Sequence, residues 1–249
     1  MKVLITGASS GIGKSMAKYL DSFNHELYLV ARSEDKLKQL TKELKNAKYY
    51  VYDVSKEENC YKLYEELKNE NIDFIINNAG FGLFGYFDET DLDRELEMIN
   101  VNIKSVHILS KLFLKDMVKR NSGYILNTAS SAGFLAGPYL NTYYATKNYV
   151  LKLTIGINEE LRQRKSKVIV SALCPGPVDT EFNNVAGGHF NTKSLTSDYV
   201  AKYAIEKTFK GKMIIIPGFT MKLAIFFQKF LPTRLQLKMV YNIQKNKTK

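Results

Sequence analysis

The chain has 249 residues, of which 45% are hydrophobic and 24% are charged. This length and apolar content suit one large α/β domain with a sizeable core, and they argue against a disordered or low-complexity chain. The first strand pattern begins directly after Lys2, which leaves no room for a signal peptide, and Cys60 and Cys174 show no CxxC or Cys/His spacing. We therefore expect a cytoplasmic protein with no bound metal.

The formal net charge of +11 is concentrated in the C-terminal part of the chain. The 43 residues after Glu206 include 10 basic residues and no acidic residue, whereas the two signs are almost balanced before them. Such a local excess points to a partner of that segment rather than to a property of the whole fold. Nucleic acid is a poor candidate for this partner, because the stretches between the basic residues are apolar.

Apolar strand patterns alternate with helix-length amphipathic segments along the chain. The predicted strands are 2–6, 26–31, 48–53, 73–77, 123–127, 168–173 and 212–216, and the predicted helices are 11–22, 34–46, 57–70, 91–120, 139–165 and 198–209. This alternation is typical of parallel βαβ winding, so we predict a Rossmann-like, doubly wound parallel sheet of seven strands in a three-layer α/β/α sandwich. Ligands of such sheets bind at the carboxyl ends of the strands.

A glycine-rich turn joins the first predicted strand to the first predicted helix. It reads Thr6-Gly7-Ala8-Ser9-Ser10-Gly11-Ile12-Gly13. Backbone amides of such a turn, together with the N-terminus of the helix, can close on a pyrophosphate. An ordinary tight turn is the alternative, but the position at the first strand–helix junction favours a dinucleotide cradle.

A tyrosine and a lysine share one face of the predicted helix 139–165. Tyr143 precedes Lys147 by four residues, a spacing that places an ammonium beside a phenol. A cation about 4 Å away at an effective dielectric near 20 contributes about 4 kcal/mol, or roughly three pKa units, which would bring a phenol with a pKa of about 10 towards neutrality. The pair predicts proton transfer through Tyr143. Tyr144 has the uncharged Asn148 at the same spacing, so we assign Tyr144 to packing.

With the spacing TGxxxGxG at Thr6 and YxxxK at Tyr143, residues 1–217 resemble the compact branch of the short-chain dehydrogenase/reductase family. The resemblance implies further cofactor contacts after three other strands: Asp53 and Val54, then Asn78, Ala79 and Gly80, then Pro175, Gly176, Val178 and Thr180. Polar or rigid turns are the alternative for the last two groups, and an Asp that caps the next helix is the alternative for the first.

The resemblance also implies a catalytic set, which comprises Asn102, Ser130, Tyr143 and Lys147. Ser130 precedes Tyr143 by thirteen residues, with Ser131 as the alternative register. In the reductive direction Ser130 would hold the carbonyl oxygen, Tyr143 would protonate it, and Lys147 would lower the tyrosine pKa and bind the ribose hydroxyls together with Tyr143. Asn102 would hold a water that relays protons, with Asn100 as a less favoured register and a plain surface residue as the alternative.

The end of the second predicted strand bears on the choice of cofactor. It reads Ala31-Arg32-Ser33, with no carboxylate to accept a ribose 2′-hydroxyl and an arginine that can bind a 2′-phosphate. We therefore predict NADPH rather than NADH, and the resemblance implies a carbonyl reductase or alcohol dehydrogenase. A solvated Arg32 with both cofactors accepted is one alternative. A non-catalytic regulatory or scaffold protein that binds NADP is the alternative function.

Residues 218–249 form a basic, amphipathic extension beyond the last predicted strand. Its segment 219–231 has 13 residues with two lysines, which is too short and too charged to span a bilayer, and a second helical pattern follows Pro232. Such a segment suits peripheral contact with an anionic inner membrane surface. Helices that cover the substrate site, or that pack between subunits of a homodimer or homotetramer, are the alternative. Either reading favours an apolar, lipid-like small-molecule substrate, and loop 181–197 with His189 is the expected substrate lid.

Overall fold

The computed structural model describes residues 1–182 and 194–245, so His189 and most of the expected lid loop lie outside the described residues. The strands are Lys2–Thr6 (β1), Glu26–Ala31 (β2), Ala47–Val51 (β3), Phe74–Asn77 (β4), Tyr124–Thr128 (β5), Ile169–Leu173 (β6), Val178–Asp179 (β7), Leu195–Thr196 (β8) and Ile214–Ile215 (β9). Seven of them form one parallel sheet in the order β3-β2-β1-β4-β5-β6-β9, and β7 pairs with β8. The predicted doubly wound, seven-stranded α/β fold is confirmed.

The helices are Gly11–Asp21 (α1), Glu34–Glu43 (α2), Glu57–Leu67 (α3), Leu92–Ile99 (α4), Val106–Arg120 (α5), Asn141–Gln163 (α6), Ser197–Phe209 (α7), Phe219–Gln228 (α8) and Thr233–Lys245 (α9). A π-helical turn, Asn100–Ser105, joins α4 to α5, so the predicted helix 91–120 is interrupted. The long helix α6 begins later than predicted because Tyr139 has a φ of 68°, which a right-handed helix cannot include. In the part of the chain described here, no helix is both long enough and apolar enough to cross a bilayer.

Alternate side chains of the central strand β1 pack into two separate hydrophobic cores, one on each face of the sheet. Val3 and Ile5 pack on the face covered by α1, α2 and α7, whereas Leu4 packs on the face covered by α3, α5 and α6. This pattern follows from the two-residue period of a strand that is buried on both faces. Each fully buried aliphatic side chain contributes about 1.5–3 kcal/mol. The sheet is therefore held rigidly between two helical layers.

The chain winds outward in opposite directions from the middle of the sheet. β1 pairs with β2 on one side and with β4 on the other. A crevice forms at the carboxyl ends of two such strands, because the connections that follow them leave on opposite faces. The fold thus places an open site where β1 and β4 end.

The C-terminal extension folds back onto the domain. Met221 of α8 lies against Gly176, and Gln244 of α9 donates a hydrogen bond to the Tyr144 hydroxyl at 2.9 Å. The last strand of the main sheet, β9, has two residues instead of the five predicted for 212–216. These contacts bring the extension to the same side of the sheet as the crevice.

Candidate active site

The loop between β1 and α1 approaches other backbone so closely that two glycines have no room for a side chain. Gly7 has a φ of 65°, and a Cβ at this position would lie 2.8 Å from the Ala79 Cα. A Cβ at Gly13 would lie 2.3 Å from the Gly7 carbonyl oxygen. Both distances are shorter than non-bonded contacts allow. The glycines are therefore required by the shape of the loop.

The segment after β4 braces this loop. The Thr6 hydroxyl oxygen accepts hydrogen bonds from the backbone N–H groups of Asn78 and Ala79, at 3.0 and 3.1 Å. The Asn78 side-chain amide donates to the Thr6 and Gly7 carbonyl oxygens, both at 3.3 Å. Asn78 thus acts as a cross-link between two strand ends rather than as a simple polar turn. Helix α1 begins at Gly11, so the backbone N–H groups of its first turn, which have no partner within the helix, lie next to the braced loop.

A cleft of about 440 Å³ opens at the carboxyl ends of the strands, within the usual size range of ligand sites. Most predicted cofactor residues line it: Gly7, Ser9, Ser10, Gly11, Ile12, Arg32, Asp53, Val54, Asn78, Ala79, Gly80, Pro175, Gly176, Val178 and Thr180. Thr6 and Gly13 lie behind this lining, where they shape the loop. The glycine cradle and the open end of α1 fit the pyrophosphate of a dinucleotide.

Two cations flank the end of β2 within the cleft. The Arg32 side chain is 61% exposed and forms an ion pair with Glu97 at 2.9 Å. Lys36, which the sequence analysis missed, forms an ion pair with Glu181 at 3.2 Å. Lys36 follows Arg32 by four residues, at the start of α2, and this spacing was the sequence signal that could have indicated a second cation beside Arg32. Both ion pairs are exposed and weak, so either cation can exchange its partner for an anionic ligand.

Asp53 does not cap the next helix. Its carboxylate accepts a hydrogen bond from the Ser55 backbone N–H at 3.0 Å, and the N-cap position of α3 is Lys56. The capping alternative is therefore wrong. The carboxylate closes a turn that keeps Asp53 at the edge of the cleft.

Ser130 and Tyr143 meet beyond the carboxyl end of β5. The Ser130 side chain is close enough to the Tyr143 phenol to favour its ionised form and so to lower its pKa, and the Ser130 hydroxyl accepts a hydrogen bond from the Ala132 backbone N–H at 3.1 Å. Ser131 instead directs its backbone N–H to the Pro175 carbonyl oxygen at 2.8 Å. The geometry therefore favours Ser130 over Ser131 as the partner of the tyrosine.

Lys147 is buried behind Tyr143. Its side-chain amine donates to the Thr128 carbonyl oxygen at 2.8 Å and lies 5.7 Å from the centre of the Tyr143 ring. Burial lowers the pKa of this amine to about 8, and the nearby Cys174 thiol opposes the shift only partly. Burial therefore destabilises the charged form of Lys147 in the folded protein.

The predicted decrease of the Tyr143 pKa is not found in this structure. The Tyr143 side chain borders the cleft, and its partial removal from water raises its pKa to about 12 despite the opposing hydrogen bond from Ser130. The prediction was wrong because it considered the attraction of Lys147 and left out desolvation, which penalises the phenolate. Lys147 also directs its hydrogen bond to Thr128.

Asn102 is fully buried in the π-helical turn, so the surface alternative is wrong. Its side-chain amide donates to the Phe81 carbonyl oxygen at 2.9 Å and to the Thr146 hydroxyl at 3.0 Å, and its oxygen accepts from the Phe81 N–H at 3.1 Å. Both amide hydrogens are thus used within the protein. The side chain fixes the backbone that follows Gly80 at the edge of the cleft, and its role in a water relay stays a prediction.

The other wall of the cleft is largely apolar and aromatic. Phe81, Leu140, Tyr144 and Phe182 line it, and the Tyr143 and Phe182 ring centres are 5.4 Å apart. We assigned Tyr144 to packing, yet it borders the cleft and accepts the hydrogen bond from Gln244. Gln244 also lines the cleft, and no pattern in the sequence indicated this position.

Comparison with known proteins agrees with this geometry. A family model described as short chain dehydrogenase matches residues 1–188. The chain belongs to the short-chain dehydrogenase family. An uncharacterized oxidoreductase of Staphylococcus saprophyticus is 35% identical over 184 residues, which cover 71% of this chain and 78% of the relative. The very-long-chain 3-oxoacyl-CoA reductase of Homo sapiens is 35% identical over 191 residues, which cover 73% of this chain but only 61% of that protein.

A solved short-chain dehydrogenase shares this fold over most of its length. The enzyme from Sphingobium yanoikuyae, determined in complex with NADPH, superimposes with a TM-score of 0.82 at 28% identity and covers 88% of each chain. The resemblance that the sequence indicated is therefore confirmed, and the protein is an oxidoreductase of this family.

Proposed function

We propose that this short-chain dehydrogenase is an NADPH-dependent carbonyl reductase or alcohol dehydrogenase that acts on a ketone, an aldehyde or a secondary alcohol. The convergence of Ser130, Tyr143 and Lys147 on the cleft that contains the glycine cradle is the observation that carries the proposal. A non-catalytic scaffold would need the cradle, but it would gain nothing from a buried amine behind a tyrosine. The presence of Lys147 in that place favours catalysis.

The bound nicotinamide would supply or accept the hydride. The residues of the chain control the substrate oxygen and its proton. In this proposal the Ser130 hydroxyl donates a hydrogen bond to the carbonyl oxygen, and Tyr143 protonates that oxygen. A phenol with a pKa of about 12 is protonated at neutral pH, as an acid in the reductive direction must be. Lys147 then stabilises the tyrosinate that remains after proton transfer and is close enough to the cleft to bind ribose hydroxyls.

The preference for NADPH is supported by the charges at the end of β2. Arg32 and Lys36 line this end of the cleft, and Ala31 supplies no carboxylate. A 2′-phosphate would replace Glu97 as the partner of Arg32, because a phosphate offers a stronger, bidentate contact. The Sphingobium yanoikuyae relative was solved with NADPH, which agrees with this choice.

Substitution of Arg32 tests the cofactor preference. We expect Arg32→Ser to weaken NADPH binding by about 10- to 100-fold, the value of one charge-assisted contact, and to leave NADH binding unchanged. Fluorescence titration with both cofactors measures the two affinities. Arg164→Ser, at an exposed arginine directly after the C-terminal end of α6, is the matched control. An equal loss for both cofactors would mean that Arg32 does not recognise the 2′-phosphate.

An apolar, lipid-like substrate is supported by the aromatic wall beside the catalytic tyrosine. Phe81, Leu140, Tyr144 and Phe182 border this part of the cleft. Such side chains stabilise a bound alkyl or ring group by removing it from water. A short polar carbonyl compound would leave most of this surface exposed.

The catalytic proposal is tested by following NADPH oxidation at its near-ultraviolet absorbance. The substrate panel runs from short polar ketones and aldehydes to long-chain and steroidal ones. We expect turnover with apolar members and a decrease of about 10²- to 10⁴-fold in Tyr143→Phe. Tyr149→Phe, at an exposed tyrosine of the same helix, should retain full activity. Cofactor binding without reduction of any panel member by the wild type would favour the scaffold alternative.

We also propose that the protein is a cytoplasmic homodimer or homotetramer. The two cysteines are unpaired and buried, which suits a reducing compartment. Leu92 and Leu96 are exposed one turn apart on α4 and offer an apolar contact for a second subunit. Light scattering of the purified protein measures the number of subunits.

A further inference from the structure

Helix α8 has two apolar faces, and only one of them contacts the protein. Ile225 is buried and Met221 lies against Gly176 on the inner side. The outer side consists of large exposed apolar residues at helical spacing: Phe219 (72% exposed), Leu223 (41%), Phe226 (54%), Phe227 (59%) and Phe230 (71%), the last just beyond the helix end. Soluble helices normally place polar residues at such positions.

Helix α9 repeats this arrangement. Its inner side contains Val240 and Gln244, both buried. Its outer side contains Leu235, Met239 and Ile243, which are four residues apart and about half exposed. We call the eight outer residues of the two helices the C-terminal face: Phe219, Leu223, Phe226, Phe227, Phe230, Leu235, Met239 and Ile243.

The charge around the C-terminal face has one sign. Lys222, Arg234 and Lys238 are exposed on the same two helices, Lys229 is exposed directly after α8, and the sequence contains no acidic residue after Glu206. Association of this face with a second copy of itself would bring like charges together. The surface therefore suits an occupant that is both apolar and anionic.

We propose that the C-terminal face binds the surface of an anionic lipid bilayer, with α8 and α9 lying in the interface. The aromatic and aliphatic side chains would enter the boundary between headgroups and acyl chains, while the cations contact acidic headgroups. Neither helix is long enough to span a bilayer, since they have 10 and 13 residues. The contact is therefore peripheral.

This surface has a direct connection to the cleft. Gln244 on the inner side of α9 contacts Tyr144, and Gly176, against which Met221 of α8 packs, also lines the cleft. Membrane binding places the catalytic tyrosine beside the phase in which apolar carbonyl compounds dissolve. This consequence for the substrate rests on the proposed function, whereas the binding itself does not.

Cosedimentation with lipid vesicles tests the proposal on the full-length protein. One set of vesicles contains phosphatidylcholine alone, and the other an equimolar mixture of phosphatidylcholine and phosphatidylserine. We expect binding to the mixed vesicles that decreases as salt is raised, because the screening length falls from about 10 Å at 0.1 M to about 3 Å at 1 M salt. Binding to phosphatidylcholine alone should be much weaker.

Two double variants separate the apolar contribution from the electrostatic one. Phe219→Ser with Phe230→Ser should weaken binding by at least about tenfold. Lys229→Gln with Lys238→Gln should weaken it by about fivefold for each cation removed.

Matched controls change residues of the same types elsewhere on the surface. Phe23→Ser with Phe87→Ser, at phenylalanines that are 57% and 65% exposed, controls for the apolar variant. Lys111→Gln with Lys152→Gln, at exposed lysines of α5 and α6, controls for the charge variant. Both control proteins should bind the mixed vesicles as the wild type does.

Three results would overturn the proposal. They are no binding to either vesicle, equal binding to both, or loss of subunit association in the phenylalanine variant with vesicle binding unchanged, which would make the C-terminal face a subunit contact. Light scattering of the same samples detects the last result. NADPH oxidation is assayed separately, so an inactive protein that still binds anionic vesicles contradicts only the proposed function.

Discussion

Replacement of the buried Lys147 by methionine should stabilise the fold near neutral pH. Burial lowers the pKa of its amine from 10.5 to about 8, and its side chain is almost inaccessible. The shift corresponds to about 3 kcal/mol by which the charged form prefers the unfolded chain. Lys147→Met removes this cost together with one charge-assisted hydrogen bond to Thr128, worth about 1.5 kcal/mol. We therefore expect a net gain of about 2 kcal/mol at pH 7 and loss of reductase activity.

The pH dependence of this gain distinguishes desolvation from packing. Well below pH 8, Lys147 is charged in both the folded and the unfolded states, so the full desolvation penalty lowers the stability of the wild type. Between about pH 8 and 10.5 the unfolded chain binds more protons than the folded protein, so the stability of the wild type rises with pH relative to the variant. The difference in unfolding free energy between the two proteins should change by about 2 to 3 kcal/mol from pH 7 to pH 10.

Urea unfolding followed by circular dichroism measures this difference, since the chain contains no Trp. Lys152→Met, at an exposed lysine five residues further along α6, is the control and should show no such pH dependence. A difference between wild type and Lys147→Met that stays constant from pH 7 to pH 10 would refute the reasoning, as would a variant that is several kcal/mol less stable at pH 7.

Three further predictions follow from local contacts. Gly13→Ala should lower the unfolding free energy by about 1–3 kcal/mol because of its clash with backbone, whereas Gly156→Ala, in open space on α6, should raise it by about 0.5–1 kcal/mol. Urea unfolding tests both, and equal effects would contradict the clash. Asn102→Leu should cost about 2–5 kcal/mol in the same assay by leaving both Phe81 backbone groups unpaired, and a neutral result would contradict this. Gln244→Ala should speed hydrogen exchange in α9 by up to about tenfold, and unchanged exchange would show that its hydrogen bond does not hold the helix.

The sequence predicted the order of strands and helices well because each depends on local patterns. Continuous apolar runs such as Val3 to Ile5 identify strands that are buried on both faces, and their alternation with amphipathic segments leaves parallel winding as the simple solution. The glycine cradle was predictable for the same reason, since its conformation depends on residues next to one another in the chain.

Features that depend on long-range packing were beyond the sequence analysis. The two-residue strands β7 and β8 are too short to show a period, and Asn102 in the π-helical turn bonds to Phe81 and Thr146, which lie 21 and 44 residues away in the sequence. No local pattern connects Gln244 to Tyr144, which lies 100 residues earlier. These contacts form only when the complete sheet has brought the segments together.

The direction of the Tyr143 pKa shift shows a limit of another kind. The spacing to Lys147 predicted their proximity, and the amine does lie beside the ring. The spacing contains no information on how far the phenol is removed from water, and desolvation is the larger effect. The direction of a pKa shift can therefore be predicted from neighbouring charges only when the burial of the titrating group is also known.

The walls of the cleft come from almost the whole chain, from Gly7 to Gln244. No contiguous fragment contains them, so contacts between distant segments must form before any ligand can be held. A ligand that binds only the folded state adds about 2.7 kcal/mol to its stability when present at a hundred times its Kd. Chains that meet abundant nicotinamide cofactor as they fold would be protected in this way, whereas chains made when it is scarce would be the first that cellular proteases remove.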